Sequence, residues 1–138
     1  MSHSDLNSWL RYNNERVVAH FCAHHPDYDL LEAQILFQDL MGWLWVSGIR
    51  TQKDKKTWLF GPLLILDEMW HFFILHTRDY YDFGQTYYGR YLHHDVEPVG
   101  KEHRVSEEEV VDMLSDCLNY LGEDWVKRRF SEALEQAE

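Results

Sequence analysis

The sequence predicts an all-α protein that forms one compact bundle of about five helices. Apolar residues recur at helical spacing along most of the chain, strand-like alternation is absent from the sequence, and helix start and stop signals separate the segments. A chain of 138 residues with 45% hydrophobic and 15% aromatic content can bury one core without disulfide or metal staples. We therefore expect residues 1–138 to form a single helical domain.

The first part of the chain is expected to hold two helices. Apolar residues follow helical spacing over residues 5–24, with a weak patch near Asn14, and Pro26 should end this segment. An aspartate at position 27 or 29 can cap the next helix, which is the most apolar segment of the chain. Its apolar run is shorter than the ~20 residues of a membrane span, and Gly48 is expected to stop it.

Two further helices are expected around the aromatic centre of the chain. After a lysine-rich loop, Pro62 fits the first turn of a helix that ends near His76, because proline's missing N–H does no harm there. The next helix should start near Thr77 or Asp79 and carry five tyrosines up to residue 91, although Gly84 weakens it. Irregular structure is expected to follow.

The last part of the chain has the clearest helix boundary signals. Ser106 and Glu109 have the S-x-x-E form of a capping box, and apolar residues follow at helical spacing. Gly122 should end this helix. An amphipathic helix with acidic residues at its start is expected to close the chain.

Composition indicates which binding partners and which cellular compartment to expect. Thirteen Lys and Arg against 24 Asp and Glu give a formal net charge of −11, which would repel nucleic acid and an anionic membrane surface. The same balance suits an acidic protein that binds a basic protein partner. Cys22 and Cys117 favour free thiols, and the first five residues lack a signal-peptide pattern, so a cytoplasmic location is expected. Nothing in the sequence indicates the oligomeric state.

The segment from Leu66 to His71 carries the main functional signal. On a helical wheel Asp67 and His71 share one face, with apolar neighbours on both sides. A carboxylate and an imidazole at this spacing either form a buried hydrogen bond or bind a metal together. Glu68 and His71 also have the E-x-x-H spacing of di-iron bundles, but the sequence contains no second such pair.

Other histidines extend the candidate metal site. His93 and His94 could complete a three- or four-ligand set around a divalent zinc or iron ion, although adjacent residues point in different directions and a surface pair without a role stays open. His20 and His24 also have a workable metal-pair spacing. Because no acid lies beside them, exposed or half-buried histidines are the simpler interpretation of that pair.

These residues also carry a resemblance. Residues 61–125 resemble the glycine-rich-domain-protein-like family of small bacterial proteins and plant glycine-rich domain proteins, an uncharacterised family whose biochemical activity is not established. The matching residues are Asp67, Trp70, His71, Thr77, Arg78, Tyr80, Gly89, Arg90, Tyr91, His93, His94, Tyr120, Gly122 and Trp125. The family's glycine-rich tail, and the proline pair that often precedes its last tryptophan, are absent here.

The resemblance implies that the four proposed ligands act together, namely Asp67, His71, His93 and His94. The residues expected around them, in contact with the ligands or lining a pocket, are Glu68, Trp70, Arg78, Tyr80 and Arg90. The resemblance implies a shared site and fold, and it does not imply that the bound group is a metal.

The leading functional hypothesis is a divalent-metal site that supports a metal-dependent hydrolase or oxidase, with no catalytic residue assigned. No G-x-S-x-G, H-E-x-x-H or glycine-rich phosphate loop supports the common hydrolase and kinase chemistries. The alternative is a non-enzymatic, acidic protein–protein interaction module in which Asp67 and His71 serve only the core. A third hypothesis is a small-molecule pocket lined by tyrosines and Trp70, with His71 as its polar anchor.

Overall fold

Seven α-helices and no strands make up the regular structure of the described residues, apart from one 3-10 turn and one π-helical turn. The computed structural model describes the backbone of residues 5–136 and the side chains of residues 5–130. Residues 1–4, which include most of the segment without a signal-peptide pattern, lie outside it. The elements are α1 (Leu6–Arg11), α2 (Glu15–His24), α3 (Leu30–Gln52), the 3-10 turn (Gly61–Leu63), α4 (Leu64–Leu75), α5 (Thr77–Phe83), the π-helical turn (Gly84–Tyr88), α6 (Glu107–Leu121) and α7 (Glu123–Gln136).

The all-α class is confirmed, but the expected count of about five helices is too low. The first segment is two helices, because the chain leaves helical geometry after Arg11 and restarts at Asn14, whose side chain accepts the Val17 N–H as an N-cap. Asn14 also donates to the Asp79 carboxylate at 2.9 Å. The Asn14–Asp79 contact therefore stabilises the break between α1 and α2, which the sequence indicates only as a locally weaker helical pattern.

Most of the predicted helix boundaries are confirmed. Asp29 caps α3 in a full capping box with Glu32, and Ser106 does the same for α6 with Glu109. Pro62 lies in the 3-10 turn that leads into α4. Gly122, at φ +92°, ends α6, because this left-handed backbone geometry favours glycine.

The expected stop of α3 at Gly48 is wrong, because the helix continues to Gln52. The last turn is held by Arg50, whose side chain is only 2% exposed. Its guanidinium donates to the Lys56 carbonyl at 2.7 Å and to the Asp116 carboxylate at 2.7 Å. A buried arginine is costly unless its guanidinium is hydrogen-bonded. The hydrogen bonds of Arg50 stabilise the last turn of α3, and this stabilisation outweighs the tendency of Gly48 to end the helix.

Helix α3 is the centre of the fold and contacts α1, α2, α4 and α6. Its buried face carries most of the large apolar side chains expected from the sequence. Asp39, also on α3, is buried and accepts hydrogen bonds from Arg128 and Arg129 of α7 at 2.8–3.0 Å. These paired charges fix the last helix against the first half of the chain. None of the described helices is long and apolar enough to cross a membrane.

Candidate metal site

Helix α4 places Asp67 and His71 one turn apart, as the sequence spacing predicts. His71 Nε2 lies 3.4 Å from Asp67 Oδ2, and 23% of the Asp67 side chain and 50% of the His71 side chain are exposed. The pair therefore stands at the rim of the core rather than inside it. This position leaves the two side chains accessible to a ligand from solvent.

His94 is the third member of the group. Its Nε2 lies 2.6 Å from Asp67 Oδ1, so the carboxylate bridges the two imidazoles. The His94 ring stacks on Trp70 at a centroid distance of 4.0 Å and on His71 at 4.9 Å. One potential ligand atom from each of Asp67, His71 and His94 lies within 4.8 Å of the others. We call these three residues the acid–histidine cluster.

A buried hydrogen-bond chain brings His94 to this place. Trp70 Nε1 donates to the Tyr80 hydroxyl at 2.9 Å, and that hydroxyl donates in turn to the carbonyl oxygen of Leu92. Tyr80 is 1% exposed and Leu92 8% exposed, so these polar groups have little access to water and need each other. The chain therefore fixes the backbone two residues before His94.

Two glycines allow the same backbone to fold back onto α5 and the π-helical turn. Gly89, at φ +86°, ends the π-helical turn in the left-handed conformation that favours glycine. A Cβ atom on Gly84 would lie 2.8 Å from the Arg90 carbonyl oxygen, closer than the backbone permits. The residue at position 84 must therefore be glycine if the segment carrying His94 is to pack this closely.

The Asp67 carboxylate favours the charged form of the His94 ring. The pKa of His94 is raised above its ordinary value, chiefly because Asp67 accepts its hydrogen bond, while partial burial acts in the opposite direction. Nδ1 of His94 is buried and has no hydrogen bond of good geometry. The backbone of Asp95 lies close to the His94 ring and also raises the pKa of His94. Burial raises the pKa of the Tyr80 hydroxyl, so this group stays protonated and able to donate at neutral pH.

The other residues that the sequence singled out are dispersed. His93 is exposed, and its ring contacts Tyr91 at 4.7 Å rather than joining the acid–histidine cluster. Glu68 points instead towards His25, with 3.6 Å between carboxylate and ring nitrogen. Arg90 is exposed and donates to the Tyr88 hydroxyl at 3.2 Å. Arg78 is exposed on α5.

A cavity of about 750 Å³ opens beside the cluster. Asp67, Trp70 and His94 form one part of its wall, and His93 and Arg90 also line it. The rest of the wall is largely aromatic and apolar, with contributions from α3, from residues 57–60 before the 3-10 turn and from the loop between the π-helical turn and α6. Its volume falls within the range of about 300–1,000 Å³ that is typical of small-molecule sites.

Sequence reasoning missed a second histidine–carboxylate contact on this cavity. His103, which lines the cavity, places Nε2 2.8 Å from Glu109 Oε1 and stacks its ring on Trp58 at 5.1 Å. The sequence indicated Glu109 only as part of a capping box. Because one carboxylate serves both roles, local spacing could not show the second one.

The fold and the site define a small all-α protein with a carboxylate held between two histidines at the mouth of an aromatic cavity. A family model described as UCP032817-like matches residues 8–114, and the chain belongs to that uncharacterised family. Comparison with curated proteins found no match, and comparison with solved structures found none.

The expected membership of the glycine-rich-domain-protein-like family is therefore wrong. The family match includes the first three helices and ends before Tyr120, Gly122 and Trp125, on which the resemblance partly depended. The residues that suggested it are mostly those that build one local site. Short motifs around a single site identify a family less reliably than a match that spans several helices.

Proposed function

We propose that the protein binds one divalent transition-metal ion, zinc or iron, through Asp67, His71 and His94. The observation that carries this proposal is the position of the Asp67 carboxylate, with one oxygen facing each imidazole at 2.6 Å and 3.4 Å. A tetrahedral ion with bonds of about 2.0–2.2 Å holds its ligand atoms about 3.4 Å apart. Small movements of these side chains would meet that requirement.

Two imidazoles and one carboxylate leave coordination positions free for water or substrate. This donor set occurs at catalytic zinc sites and at non-haem iron(II) sites. Zinc would lower the pKa of a bound water and so support hydrolysis, whereas iron(II) would support oxidation. Asp67 and His94 border the cavity, so an organic substrate there would lie beside the ion. We therefore propose a metal-dependent hydrolase or oxidase.

The competing role is structural. The Asp67–His94 hydrogen bond alone would lock the 89–95 segment onto α4, and the protein would then be an acidic interaction module without a metal. Under that role, substitution of Asp67 lowers stability but changes no metal content. The two roles therefore differ in a measurable property.

Metal content of protein purified without an affinity tag tests the proposal. We expect about one equivalent of zinc or iron, or uptake of one equivalent by protein dialysed against a chelator. His94→Ala and His71→Ala should each weaken metal binding by more than the about 10- to 100-fold typical of outer-shell changes, because each removes a ligand. His93→Ala is the matched control and should leave metal affinity unchanged, since its exposed ring lies outside the cluster.

Two results would reject this function. One is wild-type protein that contains no metal and takes none up after dialysis. The other is an equal loss of affinity in His93→Ala and His94→Ala, which would show that adventitious surface histidines hold the ion.

A further inference from the structure

A second group of histidines lies between α2 and the junction of α4 with α5. His20 and His24 are one turn apart on α2, and His76 is the residue between α4 and α5. His20 Nδ1 and His76 Nε2 face each other at 3.0 Å. Phe72 of α4 packs against both α2 rings, with centroid distances of 4.8 Å to His20 and 5.4 Å to His24. We call the three histidines the histidine cluster.

The facing nitrogens of His20 and His76 can share only one proton. In the hydrogen-bonded state one ring donates and the other accepts, so one nitrogen of the pair always carries a lone pair directed at its neighbour. The pKa of His20 is lowered, first by burial and then by the nearby His76 and His24. Both effects favour the neutral ring, which is the form that binds metals.

The two nitrogens are close enough to bind one ion together. Bonds of about 2.0–2.1 Å that meet near a right angle place two nitrogens about 2.9 Å apart, whereas a tetrahedral angle places them about 3.4 Å apart. The observed 3.0 Å is the length of the hydrogen bond between the rings, and it lies near both values, so the metal preference follows from the nitrogen ligands and not from this distance. Square-planar and tetragonal nitrogen sites are typical of Cu²⁺ and Ni²⁺, and Cu²⁺ forms the stronger complexes.

His24 is a neighbour of the pair rather than a third ligand, because among the described residues only Asp67, His71 and His94 bring three ligand atoms within 4.8 Å of one another. Nδ1 of His24 lies 3.2 Å from the carbonyl oxygen of His20, so Nδ1 carries the proton and Nε2 keeps a lone pair. Its ring is exposed and 5.2 Å from that of His20. Asp79, the acid near His76, is already bound by Asn14 and Arg16. The donor set is therefore nitrogen alone, unlike that of the acid–histidine cluster.

We propose that His20 and His76 form a second metal site that binds Cu²⁺ in preference to Zn²⁺, with water completing the coordination. The ion takes the place of the shared proton, which moves to the far nitrogen of the same ring by a change of tautomer. Both rings must turn about χ2, a broad torsion in histidine, so that lone pairs that now face each other converge on the ion. No electron transfer is involved, and no net proton is released when both rings start neutral.

Cu²⁺ titration of metal-free, full-length protein tests this site. The background carries His94→Ala, which disables the acid–histidine cluster, and His3→Ala, which removes a histidine outside the described residues that would compete for Cu²⁺. We expect one equivalent of Cu²⁺ in this background, with nitrogen hyperfine structure in its electron paramagnetic resonance spectrum. Zn²⁺ should bind at least about 10-fold more weakly, following the general order of divalent-metal affinities.

Adding His20→Ala or His76→Ala to this background should weaken Cu²⁺ binding at least about 10-fold, and adding His24→Ala, which removes a neighbour and not a ligand, should weaken it less. His93→Ala is the matched control and should have no effect. NMR spectra of the background protein, which retains His20 and His76, make the test independent of whether the variants fold. Bound Cu²⁺ is paramagnetic and should selectively broaden the amide resonances around His20 and His76.

Three results would overturn this second site: undiminished Cu²⁺ affinity in both His20→Ala and His76→Ala, broadening confined to other regions, or Zn²⁺ that binds as tightly as Cu²⁺. Because the acid–histidine cluster is disabled throughout, none of these results bears on the proposed zinc or iron site.

Discussion

The acid–histidine cluster and the histidine cluster use the same side chain in opposite electrostatic settings. In the first, Asp67 raises the pKa of His94. In the second, burial and neighbouring imidazoles lower the pKa of His20. The comparison shows that a hydrogen-bonded carboxylate favours the charged ring, whereas burial and neighbouring imidazoles favour the neutral ring.

The two clusters also differ in how the fold assembles them. The acid–histidine cluster needs a segment far along the chain, which a buried hydrogen-bond chain through Trp70 and Tyr80 holds in place. The histidine cluster needs only the packing of α2 against α4 and the corner at His76. Damage to the hydrogen-bond chain should therefore affect one cluster and spare the other.

Tyr80→Phe should have the largest effect. Removing the hydroxyl leaves the Trp70 N–H and the Leu92 carbonyl without partners, and each unpaired buried group costs about 1–3 kcal/mol. We expect a loss of about 3 kcal/mol in the free energy of unfolding, measured by urea denaturation. Metal affinity at the acid–histidine cluster should fall about 10-fold, because Tyr80 positions His94.

Tyr81→Phe is the matched control for this substitution. Its side chain is 47% exposed, so the change should stay within about 0.5 kcal/mol. If Tyr80→Phe is as mild as Tyr81→Phe, or if it also disturbs the resonances of His20 and His76, the two clusters are not assembled independently.

Asp67→Asn should have an intermediate effect on stability, and it tests the electrostatic difference between the two clusters. A hydrogen bond to a charged group contributes about 1.5–3 kcal/mol, and we expect a loss of that order in metal-free protein at pH 6. The folded-state pKa of His94 is raised, so its stabilisation is fully present below the unfolded pKa of about 6.5 and is lost as pH rises through the folded value. The cost of Asp67→Asn should therefore be smaller at pH 9.

Glu68→Gln is the adjacent control, since this exposed acid lies 3.6 Å from His25 and outside the acid–histidine cluster. Thermal denaturation of both variants across pH 5–9 measures the difference. A cost of Asp67→Asn that does not vary with pH would show that its charge contributes nothing to the contact.

The titration of the individual histidines is the smallest expected effect. In metal-free protein, NMR should show His94 titrating above about 6.5 and His20 below it, for the causes given above. For His20 the sign is reversed: its contribution to stability is fully present above about 6.5 and is lost as pH falls towards the folded pKa. Equal midpoints for the two residues would remove the contrast between the clusters.

Local chemistry made several parts of this protein predictable. The helix caps at Asp29 and Ser106, the proline at 62 and the glycine at 122 act within one helical turn, so their effect is visible in a short stretch of sequence. The same holds for Asp67 and His71, which one turn of α4 brings together. Helical spacing alone is enough to place such a pair.

Longer-range contacts could not be predicted in the same way. Gly48 resembles a helix stop, yet α3 passes through it, because Arg50 finds partners on α6. His93 and His94 are equivalent in the sequence, and only the carbonyl of Leu92, held by Tyr80, determines that His94 faces Asp67. His76 carries no signal at all until α2 packs against it.

The sequence by itself determined the all-α class, most of the helix boundaries and the Asp67–His71 pair, because each depends on interactions between residues a few positions apart. Only the tertiary structure decided which distant histidine joins each group, that Asp39 and Arg50 are buried with charged partners, and that a cavity opens beside Asp67. These features depend on side chains from separate helices meeting in one place, which spacing along a single helix cannot specify.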